Sequence, residues 1–161
     1  MISRLSTLSL MVSLVLQAVF HPATARELKP SIRPIDRPVY AKGSEIKRLY
    51  KKMEPYIKKA RATYPEAKKR WQNTLPEGHY FFLVTRIRDQ KGVEEQVFIS
   101  VHEIKHGIVK GFIFNKPSYV SGYRFKQAYS FPENELIDWI ITKPNGEQDG
   151  NFVGKYLESI R

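Results

Sequence analysis

The sequence predicts an α+β domain, with N-terminal helices packed on an antiparallel, strongly twisted sheet of about six strands. Three observations carry this expectation. Apolar residues recur at helical spacing over residues 44–74 and alternate with period two from residue 80 onward. The strand-like runs are joined by turns too short for parallel crossovers, so successive strands are antiparallel neighbours. The 42% hydrophobic and 12% aromatic content is that of a folded chain, long enough to bury a core without staples.

The elements follow in order. Met1-Ile2-Ser3-Arg4 makes a positive start, Leu5 to Phe20 is mostly apolar, and Ala23-Thr24-Ala25 is a small-x-small cleavage triplet before Arg26. Residues 1–25 therefore read as a signal peptide. The apolar run is shorter than the roughly 20 residues that span a bilayer. Cysteine is absent. That excludes disulfides, a cysteine nucleophile and thiolate metal sites, and it makes a bacterial periplasm the expected destination. Residues 26–41, with Pro30, Pro34 and Pro38, read as an extended basic arm. Residues 42–161 form the expected single domain.

Ile46, Leu49, Tyr50, Met53, Ile57 and Ala60 line one stripe at about 100° per residue, which predicts helix. Pro55 cannot donate a backbone hydrogen bond, so it is expected to kink this helix or start a new one. Thr63-x-x-Glu66, with Pro65 between, reads as a capping box opening another short helix closed by Trp71 and Leu75.

Strands are expected at Tyr80 to Arg88, around Val97 to Val101, at Ile108 to Phe114, around Tyr123 to Phe131, at Asp138 to Thr142 and at Phe152 to Leu157. Turns fall at Asp89 to Gly92, Lys105 to Gly107, Pro132 to Glu135 and Lys143 to Gly146. The expected topology is a meander that could curl into a half-barrel with the helices closing one face.

The net charge of +11 is concentrated. Residues 42–72 carry eleven Lys or Arg against Glu45, Glu54 and Glu66, whereas residues 73–161 carry eleven of each sign. On a helical projection the cations cover nearly the whole arc away from the apolar stripe. Lys47, Arg48, Lys51, Lys58 and Arg61 are the candidate anion-binding residues, with Lys52 and Lys59 on the same face. Charged runs are commonly plain solvated faces, but so few compensating acids point to a partner. An anionic envelope surface, contacted peripherally, or an unidentified protein is expected, and export disfavours nucleic acid.

His102-Glu103-Ile104-Lys105-His106 matches H-E-x-x-H, the zinc peptidase pattern, and Asn134-Glu135 lies where a third ligand could follow. The motif needs a helix to place both imidazoles on one face. Here the flanks alternate like strands and Gly107 follows directly. On a strand, residues four apart are separated by about 13 Å, too far for one zinc with bonds of about 2.0–2.1 Å. A strand and turn is the expectation, with no metal, cofactor or catalytic residue assigned, and a zinc peptidase is the alternative. No G-x-S-x-G elbow, P-loop or dinucleotide fingerprint occurs. Glu133, Glu135 and Asp138 could hold a divalent cation or form an acid/base pair, but a solvated turn with Asp138 capping or bonding backbone near Trp139 is favoured. The aromatics Tyr80, Phe81, Phe82, Tyr123, Tyr129 and Trp139 are expected in the core.

Residues 53–158 resemble a bacterial family known as domain of unknown function 2314. The resemblance is carried by Lys59-Ala60-Arg61-Ala62-Thr63 with Pro65-Glu66, by Phe131-Pro132-Glu133-Asn134-Glu135-Leu136-Ile137-Asp138-Trp139-Ile140, and by Gly150-Asn151-Phe152-Val153-Gly154-Lys155-Tyr156-Leu157. Lys143 to Asp149 is an insertion relative to that pattern, and residues 42–52 lie outside it. The resemblance implies a small α+β module and no activity. The expected function is that of an exported non-enzymatic module whose basic helix contacts an anionic partner. An inhibitor- or immunity-type protein-binding module is a further alternative.

Overall fold

The computed structural model describes Pro34 and residues 44–160, with side chains from Lys47 onward in the domain. The expected signal peptide and, apart from the buried Pro34, the expected arm lie outside the described residues.

A single helix, α1 (Ser44–Gln72), stands where a succession of helices was expected. Pro55 and Pro65 both lie inside it. Proline in a helix interior costs about 3 kcal/mol. The helix persists because its buried stripe runs past both prolines: Met53, Ala60, Tyr64 and Ala67 are all buried. Burying one large apolar side chain contributes about 1.5–3 kcal/mol, so packing outweighs the local stop signals. The capping box does not form. Thr63 sits mid-helix, and its hydroxyl donates back to the Lys59 carbonyl at 2.9 Å, the bond a threonine makes within a helix.

Six strands follow: β1 (Tyr80–Arg88), β2 (Glu94–Lys105), β3 (Ile108–Ile113), β4 (Ala128–Pro132), β5 (Asp138–Thr142) and β6 (Gln148–Gly150). They form one antiparallel sheet in the order β4-β3-β2-β1-β5-β6. The expected meander holds for β1 to β4 and then breaks, because β5 pairs with β1 rather than β4. In a flat sheet the chain from β4 to β5 would cross four spacings, about 19 Å. Residues 133–137 make that link, three of them in the 3-10 turn Glu133–Glu135. Such a link reaches only about 16 Å. The sheet is therefore curled, which brings β4 back toward β1.

The last expected strand is a helix. Residues Phe152–Ser159 form α2, and β6 occupies the three residues just before Asn151. Gly150 and Asn151 both have positive φ, 74° and 54°, and turn the chain out of the sheet. Beyond them Phe152, Val153, Tyr156 and Leu157 have helical spacing.

β1 and β5 are buried on both faces, from Phe81 to Thr85 and from Asp138 to Thr142. One apolar cluster gathers Leu83, Ile99, Phe131, Trp139 and Ile141, with Ala60, Tyr64 and Ala67 from α1. The other gathers Phe82, Val84 and Ile140, with Met53 from α1 and Val153 from α2. Leu49, Tyr50 and Ile57 pack against the second cluster and Trp71 against the first, so the two halves of one helix serve different clusters. Phe81, Phe82 and Trp139 are buried, and Tyr80, Tyr123 and Tyr129 pack against the clusters, as the sequence leads one to expect.

Candidate functional site

Because the stripe of α1 is committed to the core, its cations point outward. Lys47, Arg48, Lys51, Lys58 and Arg61 are all exposed. The structure divides them. Lys58 pairs with Glu54 at 2.9 Å. The Arg61 Nε donates to the Leu136 carbonyl at 2.7 Å. Farther along, Lys68 pairs with Glu133 at 2.7 Å and Arg70 with Asp149 at 2.8 Å. Lys47, Arg48, Lys51 and Lys52 make no ion pair or hydrogen bond among the described residues. Among the described residues, the cations without an ion pair or hydrogen bond thus gather toward the N-terminal end of α1.

The H-E-x-x-H residues are strand and turn. His102 is the extra residue of a β-bulge, where the β2–β3 register shifts between Val101 and Glu103. Glu103 is paired with Lys110 across the strands at 2.8 Å, and Lys110 holds its carboxyl below the ordinary carboxylate value. His106 and Gly107 form the two-residue hairpin turn, with φ of 51° and 74°. Positive φ at both positions is the mark of a type I′ turn. The histidines therefore share no helix face. Among the described residues no group of three or more His, Asp or Glu side chains is arranged to hold a metal ion.

The acidic residues near β5 do structural work. Glu133 Oε1 accepts from Tyr64 at 2.6 Å and from Lys68 at 2.7 Å. Burial would raise its carboxyl, but these two bonds hold it below the usual value. The same contact, after burial itself, pushes the Tyr64 hydroxyl upward. Asp138 is buried, and its carboxylate accepts from the amides of Trp139 at 2.8 Å and Val153 at 2.7 Å. The Phe152 and Gly154 amides also favour its charge. Asn151, the residue before α2, makes no side-chain cap. Asp138 supplies that cap from the neighbouring strand, satisfying amides that have no partner within the helix. Burial nevertheless lifts its carboxyl to about 6.

The profile of DUF2314, described as an uncharacterized protein conserved in bacteria, matches residues 50–159. The chain belongs to the DUF2314 family. No curated protein and no solved structure matches it significantly.

The residues by which this DUF2314 member resembles its family have architectural roles. Asp138 caps α2, and the Trp139 indole donates to the Thr63 hydroxyl at 2.9 Å, joining β5 to α1. Gly150 leaves no room for a side chain against the Trp139 carbonyl and ring. The cations Lys47, Arg48 and the arm precede the matched segment. Sequence reasoning missed one surface group, the stacked pair Tyr56 and Tyr156, whose ring centroids are 4.4 Å apart. Reading residues 152–157 as strand hid it. The helical spacing of Phe152 with Tyr156 and of Val153 with Leu157 was the available signal.

Proposed function

We propose that this DUF2314 protein is an exported, non-catalytic binding module that holds an anionic component of the bacterial envelope with the basic face of α1. The observation that carries the reading is the exposure of Lys47, Arg48 and Lys51 without ion pairs or hydrogen bonds among the described residues. The groups best suited to acid–base work are engaged in the fold instead: Asp138 by helix amides, Glu133 by Tyr64 and Lys68, and Glu103 by Lys110. No described helix is long and apolar enough to cross a membrane, so the contact proposed is peripheral. Near an anionic bilayer each cation contributes about 1 kcal/mol, and three to five of them suffice for detectable binding.

The test is salt-dependent binding to phosphatidylglycerol vesicles, lipopolysaccharide and wall polymer. Binding should weaken steeply as the Debye length falls from about 30 Å at 0.01 M to about 8 Å at 0.15 M salt. Reversing Lys47, Arg48 and Lys51 to Glu should weaken it severalfold and leave the apolar stripe untouched. Absence of salt-dependent binding to every anionic surface would sink the reading. N-terminal sequencing of the processed chain tests export, with Arg26 as the expected first residue.

A further inference from the structure

α1 has two exposed flanks, and they differ in more than position. One holds Lys47, Lys51 and Lys58, with Glu54 paired to Lys58. The other turns toward α2 and carries Tyr56, with Lys52 four residues before it and Lys59 three residues after, on one side of the helix. Tyr56 is 36% exposed. Its ring lies nearly parallel to that of Tyr156 on α2, with an interplanar angle of 16°. Tyr156 also packs against the cluster of Met53, Phe82 and Val153, so the pair is anchored to the core. Lys59 Nζ stands 5.0 Å above the Phe152 ring, close beside them. Arg48, a further turn back, extends the cationic edge. Neither tyrosine hydroxyl makes a hydrogen bond among the described residues.

The α1–α2 ridge therefore combines a stacked aromatic pair, phenolic hydroxyls without a hydrogen bond among the described residues, and flanking lysines. A soluble phosphate would use the lysines alone. A bilayer interface uses every group: tyrosine rings settle at headgroup level, and lysine stems lie along them with their ammonium groups toward phosphate. The geometry points to the α1–α2 ridge as a docking surface for an anionic phospholipid headgroup layer, with Tyr56 and Tyr156 as the interfacial anchor and Arg48, Lys52 and Lys59 as its electrostatic contacts. This rests on the anionic-surface reading above. It adds the identity of the surface and the side of the helix that meets it.

The test compares the purified chain with Tyr56→Ala on phosphatidylcholine vesicles with and without phosphatidylglycerol, and on inorganic polyphosphate as a soluble polyanion. Wild type should prefer the phosphatidylglycerol vesicles. Tyr56→Ala should bind them about fivefold more weakly, equivalent to about 1 kcal/mol, and bind polyphosphate unchanged. Lys52→Glu with Lys59→Glu should weaken both. If wild type binds neither anionic probe, the function proposed above fails and this inference with it. If wild type binds the vesicles and Tyr56→Ala binds them equally well, only the ridge is overturned. Should Tyr56→Ala fail to fold, Tyr56→Trp keeps an aromatic ring in place. Its added emission should be quenched by vesicles bearing a headgroup-level spin label, and unquenched emission on bound vesicles overturns the ridge.

Discussion

The Trp139 indole nitrogen lies 2.9 Å from the Thr63 hydroxyl, which at the same time donates to the Lys59 carbonyl. One small hydroxyl thus satisfies a largely buried indole on the sheet while bonding within its own helix. Thr63→Val keeps the shape and removes both bonds. The orphaned indole N–H should cost about 1–3 kcal/mol in chemical denaturation. Thr63→Ser should recover most of that loss. Equal stability of the Val variant and wild type would mean that the indole is satisfied elsewhere.

Asp138 links stability to pH. Its carboxyl titrates at about 6 in the folded chain, against 3.8 for an ordinary aspartate. Between those values the folded state holds a proton that the unfolded state has released. This group therefore adds stability as pH falls through about 6 toward 4, by at most about 3 kcal/mol. Glu133 and Asp149, held below their ordinary values, act in the opposite sense and lose stability on acidification. Asp138→Asn removes this contribution alone. The stability of wild type relative to the variant should rise on going from pH 7 to pH 4, and a difference that stays flat would refute the assignment.

Gly150→Ala should be among the most damaging single changes. Its φ is 74°, and an added methyl would fall against the Trp139 carbonyl oxygen and indole ring. Backbone strain and steric conflict act together there, so a loss of about 2–4 kcal/mol is expected by thermal or urea melting. The same substitution at Gly92, where φ is 76° but nothing lies nearby, should cost less.

The His106-Gly107 turn makes the hairpin testable without any metal. Asn-Gly is the favoured pair for a type I′ turn, so His106→Asn should raise stability by about 0.5 kcal/mol. If His106 were instead a zinc ligand, the variant would lose stability that added zinc gives the wild type. Melting curves of both proteins with and without zinc separate the two outcomes.

The sheet was legible where alternation and turn chemistry agreed. β1 and β5 were read at their observed bounds, and the turn at residues 105–107 falls where expected, because Gly107 accompanies a clear change of strand. Three features were not legible. Pro55 and Pro65 are local stop signals, and only burial of Met53, Ala60, Tyr64 and Ala67 explains why the helix ignores them. The place of β5 beside β1 depends on sheet curvature, which no local pattern encodes. Residues 152–157 are rich in types that favour strands, and their helical state rests on a cap from Asp138, distant in sequence. The basic face was legible as a whole. Its division into a paired C-terminal part and an N-terminal part without ion pairs among the described residues was not, since Glu133, Asp149 and the Leu136 carbonyl come from far along the chain.

That α1 lends one half to each apolar cluster has a consequence for cooperativity. A domain with two clusters could open in two steps, one exchanging its amides while the other stays closed. Here Met53 and Ala60, only two turns apart on one continuous helix, are rooted in different clusters. Fraying either cluster releases the rod that braces the other. The described chain should therefore behave as a single foldon, with amides of α1 on both sides of Pro55 exchanging through the same global opening. The helix that presents the cations is then as rigid as the core itself, so the anionic contact proposed above would meet a backbone of fixed spacing.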